Sequence, residues 1–219
     1  MTNSIKFPSD FPEGGEKLSL TERIIKRIID IVLAISGLLI SLPIFAVVAV
    51  IIPIDSPGPI LIRQKRVGKK GKYFDLLKFR SMFADAEKNI HDVLGDNPIK
   101  NSSLKVQDDP RVTPAGKVLR RWSIDELPQF WNVLWGDMSM VGPRPEESWI
   151  VDLYNETQIQ RLEVKPGLTG PMQISGRGEL DMDTRLAMEL NYIDSFSIWN
   201  DLRILLKTIP VLISGKGAY

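Results

Sequence analysis

Two carboxylates and one arginine carry the residue types and spacing of phosphate chemistry in this sequence. Asp125 and Glu126 are adjacent within Ser123-Ile-Asp-Glu-Leu-Pro-Gln129, and Arg144 stands between prolines in Gly142-Pro-Arg-Pro145. An ionised aspartate can attack phosphorus to give an acyl phosphate. It can also ligate magnesium, which takes carboxylates together with substrate phosphates. A guanidinium on a stiff turn suits a planar, bidentate contact to phosphate oxygens. Lys78 and Arg80, in Lys78-Phe-Arg80, add two cations on one face of a predicted strand, because strand side chains alternate. Asp125 is therefore a candidate nucleophile and metal ligand with Glu126 beside it, and Lys78, Arg80 and Arg144 are candidate phosphate binders.

The acid pair also has a structural explanation. Ser123-Ile-Asp-Glu matches the S-x-x-E capping box, with Ser123 at the N-cap and Glu126 reaching back. Pro128 limits the frame. With Ser123 as N-cap it falls at the fifth helical residue and costs a hydrogen bond; with Asp125 as N-cap it falls at the third, where none is lost. Both frames stay open, and both put Asp125 at the positive end of a helix. Taken alone, the motif is better explained by capping than by catalysis. Arg144 has its own bland alternative, a solvated arginine on a surface turn.

The elements around these residues begin with an apolar segment. Residues 31–54, IVLAISGLLISLPIFAVVAVIIPI, hold no charged side chain. As a helix they extend roughly 36 Å, against a hydrocarbon core of about 30 Å. The run is too long for a secretory signal, and no small-residue cleavage site follows it. Basic residues flank both ends: Arg23, Lys26 and Arg27 before it, and RQKRVGKKGK over 63–72 after it. The positive-inside rule keeps both clusters on one side, so the segment is expected to enter, bend at Pro43 and return. Ser36 and Ser41 can satisfy carbonyls freed by that bend. A simple span and a Pro-kinked core helix are the alternatives.

The remaining pattern reads as mostly helical α+β. Residues 1–20 form a polar tail, and Thr21 is expected to cap a lead-in helix. Asp55-Ser-Pro-Gly-Pro is a rigid turn, and Ile60–Val67 and Tyr73–Met82 read as strands of a hairpin closed by Gly68-Lys-Lys-Gly71. Phe83–Leu94 is expected to be helical and Gly95–Asp109 a loop. Gly116–Trp122 leads into the helix of the acid pair. Glu146–Glu163 reads as one helix, and Thr184–Ser197 and Trp199–Ser214 as two amphipathic helices. The last carries a lipid-interface or core face and a possible kink at Pro210.

Composition narrows the classes. A net charge of +1 over 219 residues gives no global attraction to nucleic acid. The absence of cysteine excludes disulfides, thiolate zinc sites and cysteine nucleophiles. His91 is the only histidine, so a Ser-His-Asp triad has one candidate base and no supporting motif.

With these residues assembled, the chain closely resembles the bacterial sugar transferases, also called monotopic phosphoglycosyl transferases, over roughly Lys26 to Tyr219. The motifs that carry the resemblance begin with Asp55-Ser-Pro-Gly-Pro, Lys78-Phe-Arg-Ser-Met82 and Asp109-Pro-Arg111. They continue through Ser123 to Gln129, Gly136-Asp-Met-Ser-Met140, Val141 to Pro145 and Lys165-Pro-Gly-Leu-Thr-Gly170. The resemblance implies transfer of a sugar-1-phosphate from a UDP-sugar to undecaprenyl phosphate, with release of UMP and the start of a surface glycan. It implies Asp125 as nucleophile of a covalent phosphosugar, Glu126 as its partner, Mg2+ as cofactor, and Arg80, Arg144 and Arg177 near phosphates or nucleotide.

It further implies a bacterial inner-membrane enzyme. Residues 21–56 would be a re-entrant helix broken at Ser41 and Pro43. Residues 57–219 would be a cytosolic catalytic domain with interfacial C-terminal helices. Membrane lipid is an expected partner, nucleic acid is not, and self-association is left open. Three positions differ from the family pattern: Leu42 separates Ser41 from Pro43, Pro171 follows Gly170, and Glu189 replaces an aspartate. The rivals are a non-catalytic scaffold that binds anionic lipid through 63–72, and a glycosyl transferase that releases UDP.

Overall fold

A computed structural model describes residues 18–84, 86, 109–176 and 180–215. Residues 1–17, Arg177, His91 and nearly all of the expected Phe83–Leu94 helix and 95–109 loop lie outside that set. Phe83 and Ala84 themselves are not helical.

The long apolar segment forms helix α1, Leu20–Asp55. Its cap is Ser19 rather than Thr21. The Ser19 hydroxyl accepts from the Glu22 amide, and the Glu22 carboxylate accepts from the Ser19 amide at 2.9 Å, a complete capping box. The helix continues through Pro43 and Pro53, so the interruption expected at Pro43 is not seen as a gap in the helix. Only a narrow stripe of α1 faces inward: Asp30, Ala34, Ser41, Val48 and Ile52. The other faces expose large apolar side chains such as Ile40 at 75% and Ile54 at 79%. A helix apolar on all sides belongs in a large core or in lipid. With 17% of its most apolar window buried, α1 does not behave as a core helix. It is the one helix among the described residues long and apolar enough to cross a membrane.

After α1 the chain forms the expected hairpin. Strands β1, Leu61–Val67, and β2, Tyr73–Phe79, pair antiparallel from Leu61↔Phe79 to Val67↔Tyr73. Gly71 sits in the turn at φ 70°, a conformation glycine adopts at little cost. Strand β2 ends at Phe79, short of Met82, with one further bond in the same register, from the Arg80 amide to the Ile60 carbonyl at 2.9 Å.

Helix α2, Pro114–Arg121, follows, capped by the Thr113 hydroxyl on the Gly116 amide and opened by a proline at its first turn. Helix α3, Gln129–Trp135, packs across α1, where Gly37 makes room for the Phe130 ring; a Cβ at Gly37 would come within 2.5 Å of Phe130 Cζ. Two short strands, β3 (Ser139–Val141) and β4 (Gly167–Thr169), pair in parallel. The stretch between them does not form the single helix expected over Glu146–Glu163. It forms a short helix α4, Ser148–Val151, and a separate 3-10 segment, Gln158–Glu163. Asn155 and Gln158 exchange side-chain-to-backbone bonds of 3.0 and 2.8 Å, and that local capping starts a new turn instead of continuing the old one.

Helix α5, Pro171–Ile174, then leads to α6, Met182–Asp194, and α7, Ile198–Ser214. Helix α7 also runs through its proline, Pro210. The main core joins Phe74 and Leu76 of β2, Val133 of α3, Met138, Met140 and Val141 around β3, Tyr192 of α6 and Ile204 of α7, with Ala34 contributed by α1. A second core places Val48 and Ile52 of α1 on Phe79 and Leu119. Both halves of the apolar helix thus pack on one domain.

Candidate active site

The acid pair does not cap a helix in either expected frame. Ser123 is left-handed, at φ 54° and ψ 25°, and its side chain makes no capping bond. Asp125 and Glu126 lie on a single 3-10 turn, Ile124–Glu126, and α3 starts only after Pro128. Pro128 therefore stands before the helix, where its missing amide costs nothing.

Freed from capping, both acids meet cations. The Lys78 ammonium is 2.9 Å from Asp125 Oδ2 and 3.9 Å from Glu126 Oε1. Arg144 Nη2 donates to Glu126 Oε1 at 2.9 Å. Asp125 is buried at 3% exposure, yet it lines a cleft of about 1350 Å³. Lys78 reaches the pair because α3 is bolted to β2: Asn132 accepts from the Leu77 amide at 3.0 Å and donates to the Asp75 carbonyl at 2.7 Å.

Arg144 is aimed by its backbone. Gly142 and Gly167 approach so closely that a Cβ on Gly142 would lie 2.5 Å from the Lys165 carbonyl oxygen. The Gly142 amide bonds to the Thr169 carbonyl at 3.0 Å, and the Gly167 amide to the Pro143 carbonyl at 2.8 Å. Beneath the turn, Glu189 Oε1 accepts from the Arg144 amide at 2.9 Å, while Arg161 donates to the Arg144 carbonyl at 2.8 Å. Glu189 and Arg161 pair with each other at 2.6 Å. Glu146 completes this layer, 2.7 Å from Arg185 and 3.4 Å from Arg161, and Tyr154 accepts from Arg161.

The electrostatics follow from this geometry. Glu126, facing Arg144, raises the guanidinium's proton affinity above its ordinary value, with burial opposing. Burial pushes Glu189 upward, and Arg161 offsets part of that. Burial acts the same way on Glu146, but Arg161, Arg185, Arg144 and Arg66 together hold it below the ordinary carboxylate value.

Of the expected site residues, Asp125, Glu126, Lys78 and Arg144 converge. Arg80 does not join them. Its guanidinium donates to the Ser56 and Pro57 carbonyls at 2.5 and 2.6 Å, pinning the turn after α1. Ser41 is buried on the inward stripe of α1. Among the cleft residues not picked out from sequence as site residues are Arg66, Arg120 and Gln173. For Arg66 the signal was available, since alternation along β1 turns Gln64 and Arg66 to the cleft while Lys65 faces out to Asp75 at 2.7 Å. The basic run 63–72 is split the same way and is not one continuous patch.

The cleft has a second, apolar wall. Leu33, Gly37 and Ile40 of α1 face Leu205, Leu206 and Ile209 of α7, and Arg203 and Lys207 stand one helical turn apart at its edge. As a metal centre the site is incomplete by itself, because no three-ligand group occurs among the described residues. The donor set still fits magnesium, which needs only one or two carboxylates when substrate phosphates and water fill the remaining positions.

The cleft thus sets an acid dyad and its cations beside an apolar wall, against a long apolar helix. The chain belongs to the bacterial sugar transferase family, whose model matches residues 21–215. It is 47% identical over 196 residues to the galactosyl transferase CpsE of Streptococcus agalactiae, covering 89% of this chain and 43% of that protein. It is 41% identical over 210 residues to the UDP-glucose:undecaprenyl-phosphate glucose-1-phosphate transferase of Escherichia coli, covering 92% and 43%. With the exopolysaccharide production protein ExoY of Rhizobium meliloti it shares 35% identity over 222 residues, 100% of this chain and 98% of the relative. The chain thus spans less than half the length of the first two relatives and nearly all of the third.

Proposed function

We propose that this chain transfers a sugar-1-phosphate from a UDP-sugar to undecaprenyl phosphate, through a covalent phosphosugar on Asp125 and with release of UMP. The relatives' names supply the substrate classes. The observation that carries the chemistry to this chain is Asp125 in the cleft beside Lys78, with Glu126 held by Arg144.

An Asp125 oxygen attacks the phosphorus bonded to the sugar, the bond from that phosphorus to the nucleotide's phosphate breaks, and UMP leaves. A phosphate oxygen of the lipid then attacks the same phosphorus, and the Asp125–phosphorus bond breaks. The carboxylate is restored, and a polyprenyl-diphosphate sugar is formed to begin a glycan. Lys78 and Arg144 present N–H donors to the oxygens that gain charge in both steps. Asp125 and Glu126 would hold magnesium, which supplies Lewis-acid neutralisation of the diphosphate. The wall between α1 and α7 suits the isoprenoid chain, with Arg203 and Lys207 at its polar edge.

The same reading makes α1 a re-entrant anchor at the bacterial inner membrane, with the domain on the cytoplasmic face. It is supported by where the two ends of the apolar run 31–54 in α1 are tied. Asp30 accepts from the Met140 amide at 2.8 Å, and Asp55 accepts from the Ala115 amide at 3.2 Å. A simple span would put those two partners on opposite sides of the bilayer. Single cysteines at Leu20 and Lys72 test it in whole cells: neither should react with an impermeant thiol reagent added outside, and labelling at one end alone refutes re-entry.

The chemistry is tested by UMP release from a panel of UDP-sugars with undecaprenyl phosphate and magnesium. Asp125→Asn is expected to lower turnover on the order of 10³-fold or more while the protein stays folded and membrane-bound. Wild-type turnover in that variant would end the assignment.

A further inference from the structure

Gln173 lies on α5 in the wall of the cleft at 8% exposure, and neither Oε1 nor Nε2 of its amide has a hydrogen-bond partner among the described residues. A buried amide left unpaired is costly to keep, and such a group in a cleft wall calls for a ligand. Its position is specific. A Cβ built on Gly170 would lie 3.1 Å from Gln173 Oε1 and 2.1 Å from the Gly142 carbonyl oxygen, so the amide sits beside the start of the Arg144 turn. Just before Gly170, Thr169 bonds to Thr208 of α7 at 2.7 Å. The amide therefore lines the same cleft as the guanidinium proposed for phosphate and the helix that forms the apolar wall.

We propose that Gln173 is a specificity-determining residue for the donor, its amide accepting from and donating to a side-by-side donor–acceptor pair on the nucleotide sugar. The inference rests on the transferase reading above. A primary amide offers one acceptor and one donor in the same plane. Two parts of a UDP-sugar match it: the imide edge of uracil, and neighbouring hydroxyls of the transferred sugar. A site built to hydrogen-bond such a pair discriminates strongly, because a ligand without it leaves the buried amide unpaired.

The test compares wild type with Gln173→Met, which keeps the side-chain length and removes the amide. UMP release is measured across a UDP-sugar panel, UMP is titrated as an inhibitor, and unfolding temperature is read without ligand. No internal bond is lost, so the variant should unfold at the wild-type temperature or higher while the donor KM rises on the order of tenfold. A matching loss of UMP inhibition assigns the amide to uracil. Unchanged UMP inhibition with a flattened preference among sugars assigns it to the sugar.

An unchanged donor KM overturns the proposal, and a lower unfolding temperature alongside it gives the amide a packing role. If Gln173→Met does not fold, Gln173→Glu, which keeps the shape and exchanges the donor for an acceptor, is read by the same criteria. Wild-type protein that releases no UMP from any donor sinks the transferase reading, and this inference with it.

Discussion

The cleft and the layer beneath the Arg144 turn are built from the same side chains to opposite ends. In the cleft, Asp125 and Glu126 face Lys78 and Arg144, whose side chain is 30% exposed. Below it, Glu146, Glu189, Arg161 and Arg185 are buried and pair mainly with one another and with backbone, although Glu146 and Arg185 also reach the cleft wall. A buried ion pair contributes little net stability over an apolar substitute, but removing one partner leaves a stranded charge. The lower layer thus fixes a shape, and the upper one keeps its charges where a ligand can reach them. Arg144 belongs to both: its backbone is held from below and its side chain serves above.

That division gives unequal consequences to similar mutations. Arg161→Ala should have the largest effect on stability, about 3–5 kcal/mol, because it strands Glu189 and part of Glu146. Chemical denaturation measures it, and a change below about 1 kcal/mol would mean that the lower layer is not the scaffold described. Arg144→Lys should do the reverse. It keeps the charge and loses the planar fork, so kcat/KM for UMP release should fall roughly 10- to 100-fold with little change in stability. Equal losses of stability in the two variants would erase the distinction between the layers.

The smallest effect concerns pH. The native state holds Glu146 below the ordinary glutamate value of 4.5, so its ionisation stabilises the fold above that value, and the contribution is lost as pH falls through the lowered native value. Stability measured down an acid series should therefore decline less steeply in Glu146→Gln than in wild type. Parallel acid limbs would show that Glu146 is not the group responsible.

Much of the architecture was legible in the chain, for reasons tied to length. Helix α1, the hairpin and α7 each extend far enough for an apolar run, a period of two or an amphipathic face to show. Strands β3 and β4 cover three residues each and have no readable period; they exist because Gly142 and Gly167 let two backbones meet. The acids and Arg144 were legible as residues but not in their setting. A left-handed Ser123 turned a good capping signature into a 3-10 turn, and nothing local foretells that. Arg80 shared a motif with Lys78 but went to the carbonyls just after α1, because Ser56 and Pro57 offer it two acceptors that the local pattern does not announce. Gln173 gave no signal in sequence, because an unpaired amide is a property of its surroundings.

The ties at the two ends of the apolar run in α1 also set an order of assembly. Helix α1 leaves the ribosome before every segment it packs against: Ala34 waits for Met138, Tyr192 and Ile204, and Ile52 waits for Phe79 and Leu119. Until residue 204 has been synthesised, the apolar helix lacks part of its packing, and lipid is the medium in which that wait is least hazardous. Insertion would then precede closure of the core, and the domain would complete its fold already standing on the membrane.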